Sequence, residues 1–148
     1  MDTKPTLAGF ITFCRNIVGI PVVDMPDEDP GFQNALDYAA LWIPIYLNTI
    51  SPGLFTLATY NWAASLIIQY QPDEAGQVFF SQARQAFQIN NFVPGVITTA
   101  SNEATSQSMT IGKGLQNMTL TDLQRVKDPY GRAALAILQD LGTVWGLT

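Results

Sequence analysis

The chain has 148 residues, 47% apolar and only 13% charged, with no histidine, one cysteine and a net charge of −5. That length can bury a core as one domain without disulfides or metal. The missing imidazole removes the usual base for a serine or cysteine nucleophile and the commonest metal ligand, and the lone Cys14 forms neither an internal disulfide nor a metal site.

So little charge is too little to cover the whole surface of a monomer; the missing cover is either the plentiful uncharged Thr, Gln, Asn and Ser or, as favoured here, other subunits. The seven Lys and Arg residues are scattered among twelve acids, which leaves no basic stripe for gripping nucleic acid. Asp2, Lys4 and Pro5 do not form the basic lead-in of a signal segment. The apolar runs at 41–50 and 54–70 are divided by Pro44, Asn48 and Ser51-Pro52-Gly53 and fall short of the ~20 residues needed to span a bilayer. A soluble protein without membrane contact is expected, and Cys14, in an apolar helical stretch, reads as a small core residue.

Thr6 or Thr3 is positioned to cap a first helix over residues 7–18, with Phe10, Phe13, Ile17 and Val18 at helical spacing and Gly19 ending it. Residues 20–31 hold three prolines and four acids, the composition of an extended linker. Pro30 and Gly31 open a second helix over 32–48, with a stripe of Leu36, Ala39, Ala40, Ile43 and Leu47 and a kink expected at Pro44. Ser51-Pro52 is a helix start. The helix it opens, to about residue 71, is apolar nearly all round, which predicts a central element with Leu57, Trp62, Leu66 and Ile67 buried. A fourth helix is predicted from Pro72 through Phe87. Residues 96–101 and 105–111 then alternate as strands, with Ser106, Ser108 and Thr110 on one face and Gln107, Met109 and Ile111 on the other. A hairpin turning near Asn102-Glu103 is expected, with an extended arm as the close alternative. A short helix from Thr119 and a last helix over 133–141, entered through Pro129-Tyr-Gly-Arg, complete the chain.

The expected fold is mainly α: a bundle of four to five helices with a β-hairpin or extended arm before the C-terminal helix. It forms one domain over 1–148, with a helical body at 3–90, the polar arm at 96–115 and C-terminal helices at 119–142. A polar arm on a helical core suits a protein whose work is to touch its neighbours.

No reaction centre emerges from the remaining motifs. Asp24, Asp27, Glu28 and Asp29 lack the alternating oxygens and glycine of a calcium loop and read as a solvated acidic linker. Gly112-Lys-Gly lacks P-loop spacing and reads as a turn. Tyr38, Trp42, Tyr46, Tyr60, Trp62 and Tyr70 have helical spacing without interleaved cations, which marks core and interface aromatics. Ser101, Ser106 and Ser108 have no base. Arg125, Lys127 and Arg132, beside Asp122 and Asp128, are placed to pair across a subunit boundary or to anchor the last helix. Neither an enzyme nor a cofactor or metal site is expected.

The helical body, the aromatic central helix, Thr-Ser-Gln-Ser-Met-Thr-Ile at 105–111, Leu-Thr-Asp-Leu at 120–123 and Asp-Pro-Tyr-Gly-Arg-Ala-Ala-Leu-Ala-Ile-Leu at 128–138 resemble the small head–tail connector (adaptor, or head-completion) proteins of tailed bacteriophages. The acidic, Pro-rich stretch at 20–31 departs from that family's pattern. The resemblance implies a structural virion protein at the neck between capsid and tail, assembled from the host cytoplasm. It would be a homo-oligomeric, dodecameric ring docked on the portal protein and meeting the tail or the next neck protein. Thr105, Ser106, Gln107, Ser108, Met109, Thr110, Tyr130 and Arg132 would then contact the next subunit or the portal. DNA would pass through unbound: twelve copies at −5 each carry about −60, and a wall of DNA's own sign repels phosphate. Two alternatives stay open. One is a tail terminator or other neck or tail ring protein, and the other is a monomeric helical protein whose groove binds an apolar ligand or a partner helix.

Overall fold

A computed structural model of the chain describes residues 4–91, 96–100, 107–110 and 125–141. The fold is mainly helical. Of the two threonines able to start the first helix, Thr6 does so. Its hydroxyl accepts from the Gly9 amide at 3.1 Å and opens α1 (Leu7–Phe13). The regular helix is shorter than the apolar spacing predicts, because Cys14–Val18 is wound as a π-helical turn. Gly19 closes it in the left-handed region, at φ 81°, a conformation that only glycine adopts cheaply.

Most of residues 20–31 are exposed, in keeping with their composition, but the segment is turned onto the core and is not an extended linker. Ile20, Asp24 and Met25 are buried, and the amides of Asp24 and Met25 both donate to the Pro21 carbonyl. Arg15 ties the segment down: it donates to the carbonyls of Ile20 at 2.9 Å and Met25 at 2.6 Å and pairs with the Asp27 carboxylate. Its guanidinium lies 5.3 Å from the centroid of the Phe32 ring. Asp29 accepts from the Gly31 amide at 2.7 Å and caps α2 (Pro30–Trp42), which has Pro30 in its first turn. Only Glu28 of this acidic group stands in solvent without such a role.

Pro44 ends α2 instead of kinking it. The residue before a proline is driven out of the helical region, and Ile43 is extended at φ −90°, ψ 117°. A single turn, α3 (Leu47–Ile50), follows, and then α4 (Pro52–Tyr70). The Ser51 hydroxyl makes no capping bond, so the start of α4 rests on the preset backbone of Pro52. α4 is central as predicted: it packs against α2, α3, α5 (Phe79–Ala86) and α6 (Pro129–Asp140). Trp62 and Ile67 are buried, but Leu57 and Leu66 are only half-buried. For Leu66 the reason is its position on the wall of a groove between α2 and α4.

α5 begins later than Pro72. Asp73 stays in the preceding loop, where its carboxylate accepts from the amides of Phe80 and Ser81 and from the Ser81 hydroxyl. The core runs through Phe10, Ile20, Met25, Phe32, Ile43, Leu47, Ile68 and Phe80. Phe10 stands edge-on to Phe32 with centroids 6.0 Å apart. The Tyr60 hydroxyl fastens α4 to the start of α1, accepting from the Thr6 amide at 3.0 Å and donating to the Thr6 carbonyl at 3.1 Å.

β1 (Val96–Ala100) and β2 (Gln107–Thr110) pair antiparallel, with Val96 opposite Thr110 and Ala100 opposite Gln107 and an irregularity between Ile97 and Thr99. The expected turn at Asn102-Glu103 and the short helix from Thr119 lie outside the described residues.

The last helix starts earlier than predicted. Asp128 is its cap and Pro129 its first residue, so Pro-Tyr-Gly-Arg is the opening turn of α6 and not a loop leading into it. Asp128 is fully buried. Its carboxyl accepts from the Gly131 amide at 2.8 Å, the Ser65 hydroxyl at 2.6 Å and the Gln69 amide at 2.7 Å, and so locks α6 to α4. A Cβ at position 131 would collide with the Arg125 backbone carbonyl, which makes glycine a steric requirement there.

Candidate assembly surface

On α2, Phe32, Ala35, Leu36, Ala39 and Ile43 recur at helical spacing and are buried. The opposite face of a surface helix is normally polar. Here Gln33, Asn34 and Asp37 obey that rule, and then Tyr38, Ala40, Leu41 and Trp42 break it. After Pro44 ends the helix, the chain adds four more exposed apolar residues, Ile45, Tyr46, Ile50 and Leu54. Leu41 is 80% exposed, Ile45 79% and Trp42 53%.

At about 200 Å² for a large apolar side chain, the band from Tyr38 to Leu54 leaves roughly 800 Å² uncovered. The largest patch on a typical monomer is about 300–600 Å², whereas one partner contributes roughly 800 Å² to a standard interface. From Tyr38 to Pro72 no residue carries a charge. Burying this face therefore strips water from no ion, a step that costs several kcal/mol per charge where it is needed.

Beside the band lies a groove of about 440 Å³ between the first half of α2 and the end of α4, lined by Asn34, Ala35, Tyr38, Leu66, Ile67 and Tyr70 among others. Ile17, Val22 and Val23, in the segments that precede α2, are also exposed apolar residues. Met25 reaches Gly31 and Arg15 covers Phe32.

Comparison with protein-family models, characterised proteins and solved structures gives no significant match.

The residues expected to form the contact surface fall in two places. Gln107, Ser108, Met109 and Thr110 make up β2, and Thr105 and Ser106 lie outside the described residues. Tyr130 and Arg132 share the first turn of α6. Tyr130 is half-buried with its ring edge-on to Phe87 at 6.3 Å, and Arg132 is exposed and donates to the Val126 carbonyl at 3.1 Å.

Of the basic group around them, expected to pair across a subunit boundary or to anchor the last helix, both arginines make contacts within their own chain. Arg125 is buried with its guanidinium 4.5 Å from the centroid of the Trp62 ring, and Asp128 faces inward. Arg84 likewise caps the end of α4 through the carbonyls of Ile68 at 3.1 Å and Gln71 at 2.9 Å. All four arginines thus serve intramolecular contacts. Burial pushes the Cys14 thiol up to about 12, with Arg15 opposing weakly, so it is no nucleophile at neutral pH.

Of the aromatics read as core or interface, Tyr60 and Trp62 are core, and Tyr38, Trp42, Tyr46 and Tyr70 are surface. Leu41 and Ile45, the most exposed members of the band, were not singled out by spacing. The signal for them was the charge-free run from Tyr38 to Pro72, interrupted at Pro44. Among the described residues, no helix is long and apolar enough to cross a membrane.

Proposed function

We propose that the chain is a structural subunit of a tailed-bacteriophage neck, a head–tail connector that assembles into a ring on the portal and continues the DNA channel toward the tail. The observation that carries this reading is the uncovered, charge-free band from Tyr38 to Leu54, which has the area of one half of a protein–protein interface. The strand pair supports it too. Among the described residues β1 and β2 pair only with each other; two strands by themselves are marginal in water, and a strand edge can take a strand from another chain. The acidic balance suits a wall that repels DNA. Work of this kind is assembly, with no catalytic step and no cofactor.

The test is native mass spectrometry and negative-stain microscopy of the purified protein, alone and with its cognate portal. A ring that adds to the portal is the expected result. A monomer at tens of micromolar that ignores the portal overturns the reading. Binding to a tail tube end in place of the portal assigns the chain as a tail terminator. The groove between α2 and α4 favours one further reading, a monomer that holds an apolar ligand or a partner helix. A monomeric mass together with a co-purified small molecule would establish it.

A further inference from the structure

Resting on the reading as a self-assembling subunit, we infer that the contact between copies is head-to-tail: Leu41 and Ile45 of one subunit insert into the α2–α4 groove of the next. Leu41 and Ile45 are the two most exposed large apolar side chains among the described residues. Leu41 is in the last turn of α2 and Ile45 follows the break at Pro44, so both stand at the end of that helix. The groove is concave, mostly apolar and about 440 Å³ in volume, with Ala35 and Ile67 buried beneath and Tyr38 and Tyr70, both more than half exposed, at its rims. Neither the projecting residues nor the groove lining carries a charge, so joining them desolvates apolar surface alone.

Within a subunit Leu41 cannot fill its own groove, because it is fixed on the same rigid helix roughly 9–10 Å along the axis from Ala35 and Asn34, at 1.5 Å per residue, and is itself exposed. A second copy supplies the match. A two-fold pairing of α2 with α2 could in principle exchange both contacts, but Asp37 is exposed on α2 one turn before Leu41, at the edge of the charge-free band. Antiparallel pairing would set Asp37 against its own symmetry mate in a water-excluded contact, where like charges cost several kcal/mol. A head-to-tail contact keeps the two acids apart. It also leaves each copy with one free projection and one free groove, the arrangement that closes into a ring or extends into a filament.

Three full-length proteins test this by size-exclusion light scattering: wild type, Leu41→Asp/Ile45→Asp, and Tyr70→Asp. The substituted side chains are exposed, so circular dichroism melts should stay within a few degrees of wild type. Wild type should be larger than a dimer and each variant monomeric. An equimolar mixture of the two variants should form a one-to-one dimer and nothing larger, because that pair keeps one intact contact. In a second, independent measurement, oxidised Leu41→Cys/Tyr70→Cys should give a ladder of cross-linked species beyond the dimer. A Tyr70→Asp protein that assembles like wild type, a mixture that stays monomeric, or cross-linking that stops at the dimer overturns the head-to-tail contact while leaving the connector reading standing. A monomeric wild type removes both.

Discussion

At the residue scale, burial decides what each side chain can do. Cys14 has no exposed surface and a thiol pushed up to about 12, so at pH 8 only about one molecule in 10⁴ is thiolate. It should resist a thiol reagent in the native protein and react fully in denaturant. Rapid native labelling would mean that the π-helical turn opens readily. Within α4 two neighbours should separate cleanly. Ile68 is 1% exposed, and its replacement by alanine should cost about 2–5 kcal/mol through the cavity it leaves. Leu66 lines the open groove, so Leu66→Ala should cost less than about 2 kcal/mol, because water already reaches part of its surface. Denaturant titration of both variants measures the difference, and equal losses would contradict the groove.

At the element scale, two carboxyl groups hold helix starts in place. Asp128→Ala removes the cap of α6 and the acceptor of the buried Ser65 hydroxyl, while the half-buried Gln69 amide keeps its bond to the Ser65 oxygen at 3.0 Å, and should cost about 2–4 kcal/mol. Ser65→Ala leaves Gln69 bonded to Asp128 and should cost about 1 kcal/mol. A double-mutant cycle reads the coupling, and additive losses would show that the buried bonds contribute independently. Asp73 gives a pH signature. Its partial burial alone would raise its pKa, but the Ser81 hydroxyl, the Phe80 and Ser81 amides and the Arg84 guanidinium outweigh that and hold its carboxyl below the usual range. The folded value lies below the unfolded value of about 3.9, so the stabilisation is complete above that pH and fades as pH falls through the folded value. The gap in melting temperature between wild type and Asp73→Ala should therefore be constant from neutral pH down to about 5 and close on further acidification. A gap that widens in acid would reverse the assignment.

At the scale of the whole molecule, the distribution of charge matters more than its total. The arginines are spent on carbonyls, an aromatic face and carboxylates of their own chain. The purified protein should therefore give no gel shift with duplex DNA at physiological salt, because nonspecific binding comes from counterions released by free cations. Arg132→Glu should change nothing in that assay. Micromolar binding that weakens steeply with salt and disappears in Arg132→Glu would make the protein a DNA-gripping component.

What the sequence determined by itself was local in origin. Thr6, Pro52 and the charge-free pattern of 54–70 marked where helices begin and which one is central, because capping, proline geometry and apolar periodicity act within a few residues. Mainly helical architecture followed from the same signals. Only the tertiary structure decided the fate of residues whose partners are distant in sequence. Asp128 meets Ser65 and Gln69 across about sixty positions, and Arg15 gathers a Pro-rich, acidic stretch onto the core. Leu41 and Ile45 are apolar like their buried neighbours, but Leu41 is on the side of α2 away from Ala35 and Ala39, Ile45 follows the break at Pro44, and both stand in solvent. Periodicity records that a residue is apolar; whether another element arrives to cover it depends on the packing of the whole chain.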